Sequence, residues 1–269
     1  SASRDKTGRR MIANPHAIAA HQLCKSYNNV EALKGIDFAI NRGEIFGLIG
    51  PDGAGKTTAF RILAGVMAKT SGDVVVLGTE PREARLKLGY VTQQFSLYPD
   101  LSVVENMRYS AGLRQVPESE FSVRSEQLLQ RMDLHRFAHR LAGQLSGGMK
   151  QKLALCCGLI AQPEVLLLDE PTTGVDPVSR REFWDLLAAV AADGVTVVAA
   201  TPYLDEAERC HRIALIYAGE IQKIGTLTEL RDSLGLSRVE VRAERLLAAE
   251  AALNQHRKAC QQTIVDIQP

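Results

Sequence analysis

The chain has 269 residues, with 32 Lys and Arg against 31 Asp and Glu, and a net charge of +1. That length admits one or two domains with a sizeable core, and the near-neutral balance gives no electrostatic case for a nucleic-acid partner. No apolar run approaches the ~18 residues that cross a bilayer and no secretory leader pattern opens the sequence, so a cytoplasmic soluble protein is expected.

Residues 1–16, opening on the polar "SASRDKTGRR", read as a disordered tail or an expression remnant. Short apolar runs then alternate with helical patterns, which predicts an α/β architecture around a largely parallel sheet. The expected strands are Ile18–Leu23, Glu31–Ile40, Ile45–Ile49, Val74–Leu77, Leu88–Thr92, Val165–Leu168, Val195–Ala200 and Ile213–Tyr217. Two of them, Val165–Leu168 and Val195–Ala200, lack polar alternation and read as central strands covered on both faces.

"GPDGAGKTT" follows the third strand and fits G-x-x-x-x-G-K-[ST] through Gly50, Gly55, Lys56 and Thr57. Its glycines let main-chain N–H groups curl around phosphate oxygens, Lys56 reaches the β and γ phosphates, and Thr57 is placed to ligate Mg²⁺. A helix over Thr57–Ala64 points its positive end at the anion.

Strand signals vanish between about Phe95 and Gln162. Ser102 with Glu105 forms a capping box, and Glu118–Met132 and Gly148–Ala161 carry helical periodicity, which predicts an all-helical insertion. Within it, "FSLYPDLSVVENM" is rich in apolar residues that suit core packing of the insertion. His135 and His139 stand four apart but lack the acidic neighbour of a metal motif, and read as a solvated face. "LSGGMKQ" opens a helix with Ser146 as cap and Gly147-Gly148 baring the main chain, a second anion-binding helix end.

"VLLLDEP" sets Asp169 and Glu170 at the end of a buried strand, Asp169 to hold a metal ion and Glu170 to polarise an attacking water. Pro202 ends a later strand and is followed by an acidic helical pattern, a position where proline suits a helix start. Beyond Thr226 an Ala/Glu/Arg-rich helix, Arg242 to Gln262, leads to "TIVDIQP", a strand-like end with no partner, as in a chain cut from a longer one. Cys24, Cys156, Cys157, Cys210 and Cys260 contain no C-x-x-C pair and read as reduced, buried thiols.

The order of "GPDGAGKTT", Gln93 in "YVTQQ", the helical insertion, "LSGGMKQ", "LLLDEP" and "GVDP" resembles the ATP-binding cassette ATPase family over roughly residues 17 to 225. The resemblance implies a P-loop NTPase fold of ABC type, with a RecA-like core, an antiparallel β subdomain and an inserted helical subdomain. It implies residues 17–94 and 163–228 as the ATP-binding core, 95–162 as the helical subdomain and 229–269 as an extension or linker.

ATP would then lie on Gly50, Pro51, Asp52, Gly53, Ala54, Gly55, Lys56, Thr57 and Thr58, with Tyr27 stacked on the adenine. Mg²⁺ would be held by Thr57, Gln93 and Asp169. Leu145, Ser146, Gly147, Gly148, Met149 and Gln151 would close on ATP held by an opposing cassette, and Asp176 would link the two halves. At the family's γ-phosphate histidine stands Pro202, which offers neither a side-chain donor nor a main-chain N–H, so weak hydrolysis is expected at this chain's own site.

The wording resembles ABC-2 type exporter ATPases, including those with two cassettes in one chain. A second cassette and a multi-span membrane permease are the implied partners, on the cytoplasmic face of the inner membrane, with no nucleic acid. For "FSLYPDLSVVENM" the resemblance implies, instead of core packing, a groove for a helix of a membrane subunit. The alternative is a soluble cassette ATPase acting on ribosomes or another assembly.

Overall fold

The computed structural model describes residues 16–93 and 97–233. In chain order these form β1 (His16–Tyr27), β2 (Val30–Asn41), β3 (Ile45–Ile49), α1 (Lys56–Leu63), β4 (Ser71–Val76) and β5 (Leu88–Val91). The helices α2 (Val103–Leu113), α3 (Glu118–Arg131) and α4 (Gly147–Leu159) follow. The chain continues as β6 (Val165–Asp169), α5 (Pro177–Ala192), β7 (Thr196–Thr201), β8 (Arg212–Tyr217), β9 (Glu220–Gly225) and α6 (Leu227–Ser233).

Strands β1, β2 and β4 make an antiparallel sheet in the order β2-β1-β4, and the other six make a sheet in the order β5-β6-β7-β3-β8-β9. The second sheet is parallel throughout except for β9, which runs antiparallel to β8. Every residue of β3, β6 and β7 is buried, as continuous apolar runs require when both faces are covered. Strand alternation explains how. Val165 and Leu167 face a core shared with α1 and the antiparallel sheet, while Leu166 and Leu168 face one built with α2 to α5. Each such fully buried leucine contributes about 1.5–3 kcal/mol of transfer free energy.

Ser102 caps α2 by accepting from Glu105 N at 3.3 Å, and the Glu105 carboxylate accepts from Ser102 N at 2.8 Å. The hydroxyl cap alone is worth about 1 kcal/mol. Around this helix start the main chain is laced to the segment before α4. Val103 N and Val104 N donate to the carbonyls of Arg140 and Ala138, both at 3.0 Å. Ala142 N and Gly143 N donate to those of Leu101 and Pro99, both at 2.9 Å.

Each of the eight strands expected between Ile18 and Tyr217 is present, and β9 is an addition to them. Its pattern is polar and exposed at this sheet edge, and its hairpin turns through Ala218 and Gly219 at φ 48 and 83, without the Asn-Gly or Asp-Gly signal that marks most tight hairpins. The acidic helical pattern after Pro202 is corrected: it forms a 3-10 turn, Asp205–Arg209, and no α-helix. Only ten residues separate β7 from β8, too few to nucleate and propagate an α-helix and still return to the sheet. Cys24, Cys156, Cys157 and Cys210 are free thiols, and burial pushes Cys157 up to about 11. Residues 1–15, the Arg242–Gln262 helix, "TIVDIQP" and Cys260 lie outside the described residues.

Candidate nucleotide site

Three parallel strands end together. Ile49 lies beside Thr201, and Asp169 lies beside Ala200, so the phosphate loop, the acidic pair and the Pro202 turn leave the sheet at one carboxyl edge. Ligands of open α/β sheets bind at such edges. Two backbone bonds fix the arrangement: Gly50 N donates to Thr201 O at 3.2 Å, and Glu170 N to Ala200 O at 2.9 Å.

Gly50 is required by close approach, since a Cβ there would stand 2.2 Å from Ile216 O. Gly55 caps α1 at φ 105, in the left-handed region that glycine tolerates, and a Cβ there would meet Ala32 O at 2.6 Å. Pro51, Asp52 and Gly53 are exposed, Ala54 is buried, and Ala54 O accepts from Gly219 N at 3.1 Å. The β8–β9 turn thus braces the loop, a support that the sequence reading misses.

Lys56 is 4% exposed, and its ammonium donates to the carbonyls of Gly50 and Pro51 at 2.8 and 3.0 Å. It also lies 3.1 Å from Glu170 Oε1 and 3.8 Å from Asp52 Oδ1. Thr57 Oγ1 donates to Asp169 Oδ1 at 3.1 Å, and Gln93 Nε2 donates to Glu170 Oε2 at 2.9 Å. Glu170 sits at φ 51, a left-handed backbone that residues other than glycine seldom take. Burial raises the Asp169 carboxyl above its usual range, and burial followed by the Asp169 charge pushes Tyr90 up to about 12. Tyr90 Oη reaches Asp169 Oδ2 at 3.5 Å, another neighbour that the motifs do not announce.

A hydroxyl, a carboxylate and an amide side chain therefore gather beside the lysine. Oxygens of this kind are the hard ligands that Mg²⁺ takes; Thr57, Asp169 and Gln93 would hold it, and bound there it would supply charge neutralisation for phosphoryl transfer.

Tyr27 stands 40% exposed, with its hydroxyl 2.8 Å from Met67 Sδ and 3.4 Å from Thr58 Oγ1, so its ring borders the loop. Ser146 caps α4 by accepting from Met149 N at 3.3 Å, with Leu145 and Gln151 buried beside it. Gln151 Nε2 donates to Pro171 O, tying this helix to the loop after Glu170. Among the described residues, no hydrogen bond or ion pair joins Leu145–Met149 to the phosphate loop. Asp176 caps α5, accepting from Val178 N and Ser179 N at 3.1 and 2.9 Å. Pro202 is half-buried beside Tyr203, whose N–H donates to Thr201 Oγ1 at 3.1 Å.

"FSLYPDLSVVENM" divides: Val103 and Met107 are core, whereas Tyr98 is 45% exposed and packs edge-on against Tyr109 at 4.7 Å. With Tyr90, Leu113 and Arg114 these tyrosines line a groove of about 270 Å³. A cavity of about 460 Å³ lies elsewhere, lined by Arg124, Leu128, Leu159 and Val190, and includes no phosphate-loop residue. His135 lies 3.8 Å from the exposed Asp133.

These elements define a phosphate-loop nucleotide-binding cassette with an α/β core. The family model described as ABC transporter matches residues 33–173, just over half of the chain. The chain is 41% identical over 218 residues to "Probable multidrug ABC transporter ATP-binding protein YbhF" of Escherichia coli (strain K12), covering 80% of this chain and 38% of that protein. It is 38% identical over 222 residues to "Daunorubicin resistance ATP-binding protein DrrA3" of Streptomyces coeruleorubidus, covering 81% and 70%.

Among solved structures, an ATP-binding subunit of an ABC transporter superposes with a TM-score of 0.74 at 28% identity, covering 88% of this chain and 99% of that one. A dimeric ATP-binding cassette in a post-hydrolysis state, bound to ADP and Pi, superposes with a TM-score of 0.71 at 29% identity, covering 78% and 98%. The chain belongs to the ABC transporter family, as one of its ATP-binding ATPase cassettes. It spans well under half the length of YbhF.

Proposed function

We propose that this chain binds ATP with Mg²⁺ on the 50–58 loop and uses nucleotide-driven closure against a second cassette to energise a membrane exporter. Lys56 and the main-chain N–H groups at the start of α1 take the phosphates, Thr58 borders them, and Tyr27 takes the adenine. Glu170 orients and polarises the attacking water. Ser146, Gly147 and Gly148 present the α4 N-terminus to the opposing cassette's nucleotide, and Asp176 carries communication between the halves. Residues 95–162 act as the helical subdomain and offer the Tyr98 groove to a multi-span permease at the cytoplasmic face of the inner membrane.

The observation that carries this reading is the convergence of Lys56, Thr57, Asp169 and Glu170 at one sheet edge, within 3.1 Å contacts. Pro202 leaves the γ-phosphate side without a donor, so hydrolysis here is slow, and a second cassette supplies the faster site. That second cassette is a further part of a tandem protein or another copy of this chain. YbhF, named a probable multidrug ABC transporter ATP-binding protein, is covered by this chain over only 38% of its length, which leaves room for a second cassette.

The test is calorimetric titration of the chain with ATP and Mg²⁺, paired with light scattering and a Lys56→Ala control. Saturable binding that Lys56→Ala abolishes, with nucleotide-dependent association, is expected. No binding at millimolar ATP overturns the reading.

A further inference from the structure

Behind the Pro202 turn lies a buried carboxylate, paired with a half-buried arginine, that the phosphate site does not use. Glu206, on the 3-10 turn after β7, is 2% exposed. Its Oε1 accepts from the hydroxyl of Thr172, itself 1% exposed, and lies 3.6 Å from Arg180 Nε on α5. The Arg180 guanidinium stacks over the Tyr203 ring at 4.2 Å and reaches Asp205 Oδ2 at 3.6 Å. Arg180 Nε and Glu206 Oε2 are both buried without a hydrogen-bond partner. A carboxylate held this deep is costly unless a cation and donors compensate it, so a purely packing role would be served better by an apolar side chain.

What Glu206 touches gives the reason. Thr172 is followed by Thr173, whose hydroxyl lies 3.4 Å from Glu170 Oε2. Two successive threonines therefore bridge two carboxylates: Thr173 holds Glu170, and Thr172 holds Glu206. On the other side, Arg180 clamps Tyr203, the neighbour of Pro202. The pair thus joins the loop that carries the water-polarising carboxylate to the turn that stands on the γ-phosphate side, through the buried Thr172 and Glu206. We propose that Glu206 is a positioning residue, which with Arg180 fixes Glu170 through the Thr172–Thr173 bridge and so sets the rate of the hydrolytic step and not nucleotide affinity. This rests on the reading of Glu170 given above. With no side-chain donor at position 202, more of the control of the attacking water falls on Glu170, which the bridge holds alongside Lys56 and Gln93.

The test uses the whole chain under single-turnover conditions with limiting labelled ATP, alongside calorimetric affinity for ATP with Mg²⁺. Thr172→Val removes the hydroxyl with little change in volume, Thr172→Ser restores it, and Glu206→Gln removes the charge. Thr172→Val and Glu206→Gln should each slow hydrolysis on the order of ten- to a hundred-fold, with affinity held within about two-fold of the parent. Thr172→Ser should keep the parent rate, and the Thr172→Val/Glu206→Gln double variant should be no slower than either alone, as for residues acting as one unit.

Rates that stay at the parent value, or rate and affinity falling together in Thr172→Val, overturn the proposal. So does a parent that binds ATP but never turns it over, since the step served by the bridge would be missing. A parent that binds no ATP defeats the broader reading instead. If Glu206→Gln fails to fold, the Thr172→Val and Thr172→Ser comparison still decides.

Discussion

Lys56 Nζ and Glu170 Oε1 stand 3.1 Å apart, with side chains only 3% and 7% exposed, so the loop's cation and the strand-end carboxylate neutralise each other inside the protein. Removing one partner of such a pair leaves an uncompensated buried charge, which typically costs about 3–5 kcal/mol. Lys56→Ala should therefore lose stability as well as ATP. Adding Glu170→Gln to it should recover most of the stability and none of the binding. Denaturant unfolding with parallel ATP titration checks both; a double variant no more stable than Lys56→Ala would refute the pairing as a stabilising relation.

In the function proposed above, Pro202 occupies the place where a donor would stabilise charge developing on the γ-phosphate. One positioned donor in such a state is worth about 10²–10³ in rate. Pro202→His should raise the single-turnover rate towards that ratio and leave ATP affinity unchanged. Pro202 is half-buried beside Tyr203. No gain in rate would separate the weak site from this residue.

Gly147 at the start of α4 meets nothing within 4 Å of a built Cβ and has no positive φ, so nothing inside the described chain demands glycine there. Gly147→Ala should match or slightly exceed the parent in thermal stability, because alanine is the better helix former. Its nucleotide-driven association should nonetheless fall, since the methyl group would stand in the path of an opposing nucleotide. A loss of Tm with association intact would invert this account.

Asp176 is held below the usual carboxylate range first by its hydrogen bond from the Ser179 hydroxyl, and then by main-chain N–H groups of Ser179 and Val178. A depressed folded pKa stabilises the fold above the unfolded value and loses that contribution as pH falls through the folded one. Asp176→Asn keeps a capping oxygen and removes only the charge. The variant should be less stable than the parent at neutral pH, and the difference should close below about pH 4. Urea unfolding at both pH values measures it, and an unchanged gap at low pH would contradict the assignment.

The parts of the site carried by local chemistry were legible in the sequence. Gly50, Gly55 and Lys56 announce themselves because the loop's geometry depends on residues within one turn, and Asp169 follows a run whose lack of alternation marks a central strand. Glu206 was not legible. In "DEAERC" it reads as one more surface acid, and its burial arises only because Thr172 and Arg180, distant in sequence, close over it. Gly219 and Tyr90 were hidden for the same reason: their contacts to Ala54 and Asp169 come from sheet order. The 3-10 turn after Pro202 was misread because acidic composition favours a helix locally, while the short return to β8 denies it room.

The lacing of residues 99–104 to residues 138–143 has a mechanical corollary. A load applied at Tyr98 reaches Ser146 along peptide groups, a stiff linkage indifferent to which side chains decorate it. Changing Arg140 or Leu141 should leave that transmission intact, whereas proline at Ala142 or Gly143 would delete a donor and loosen the lacing before α4.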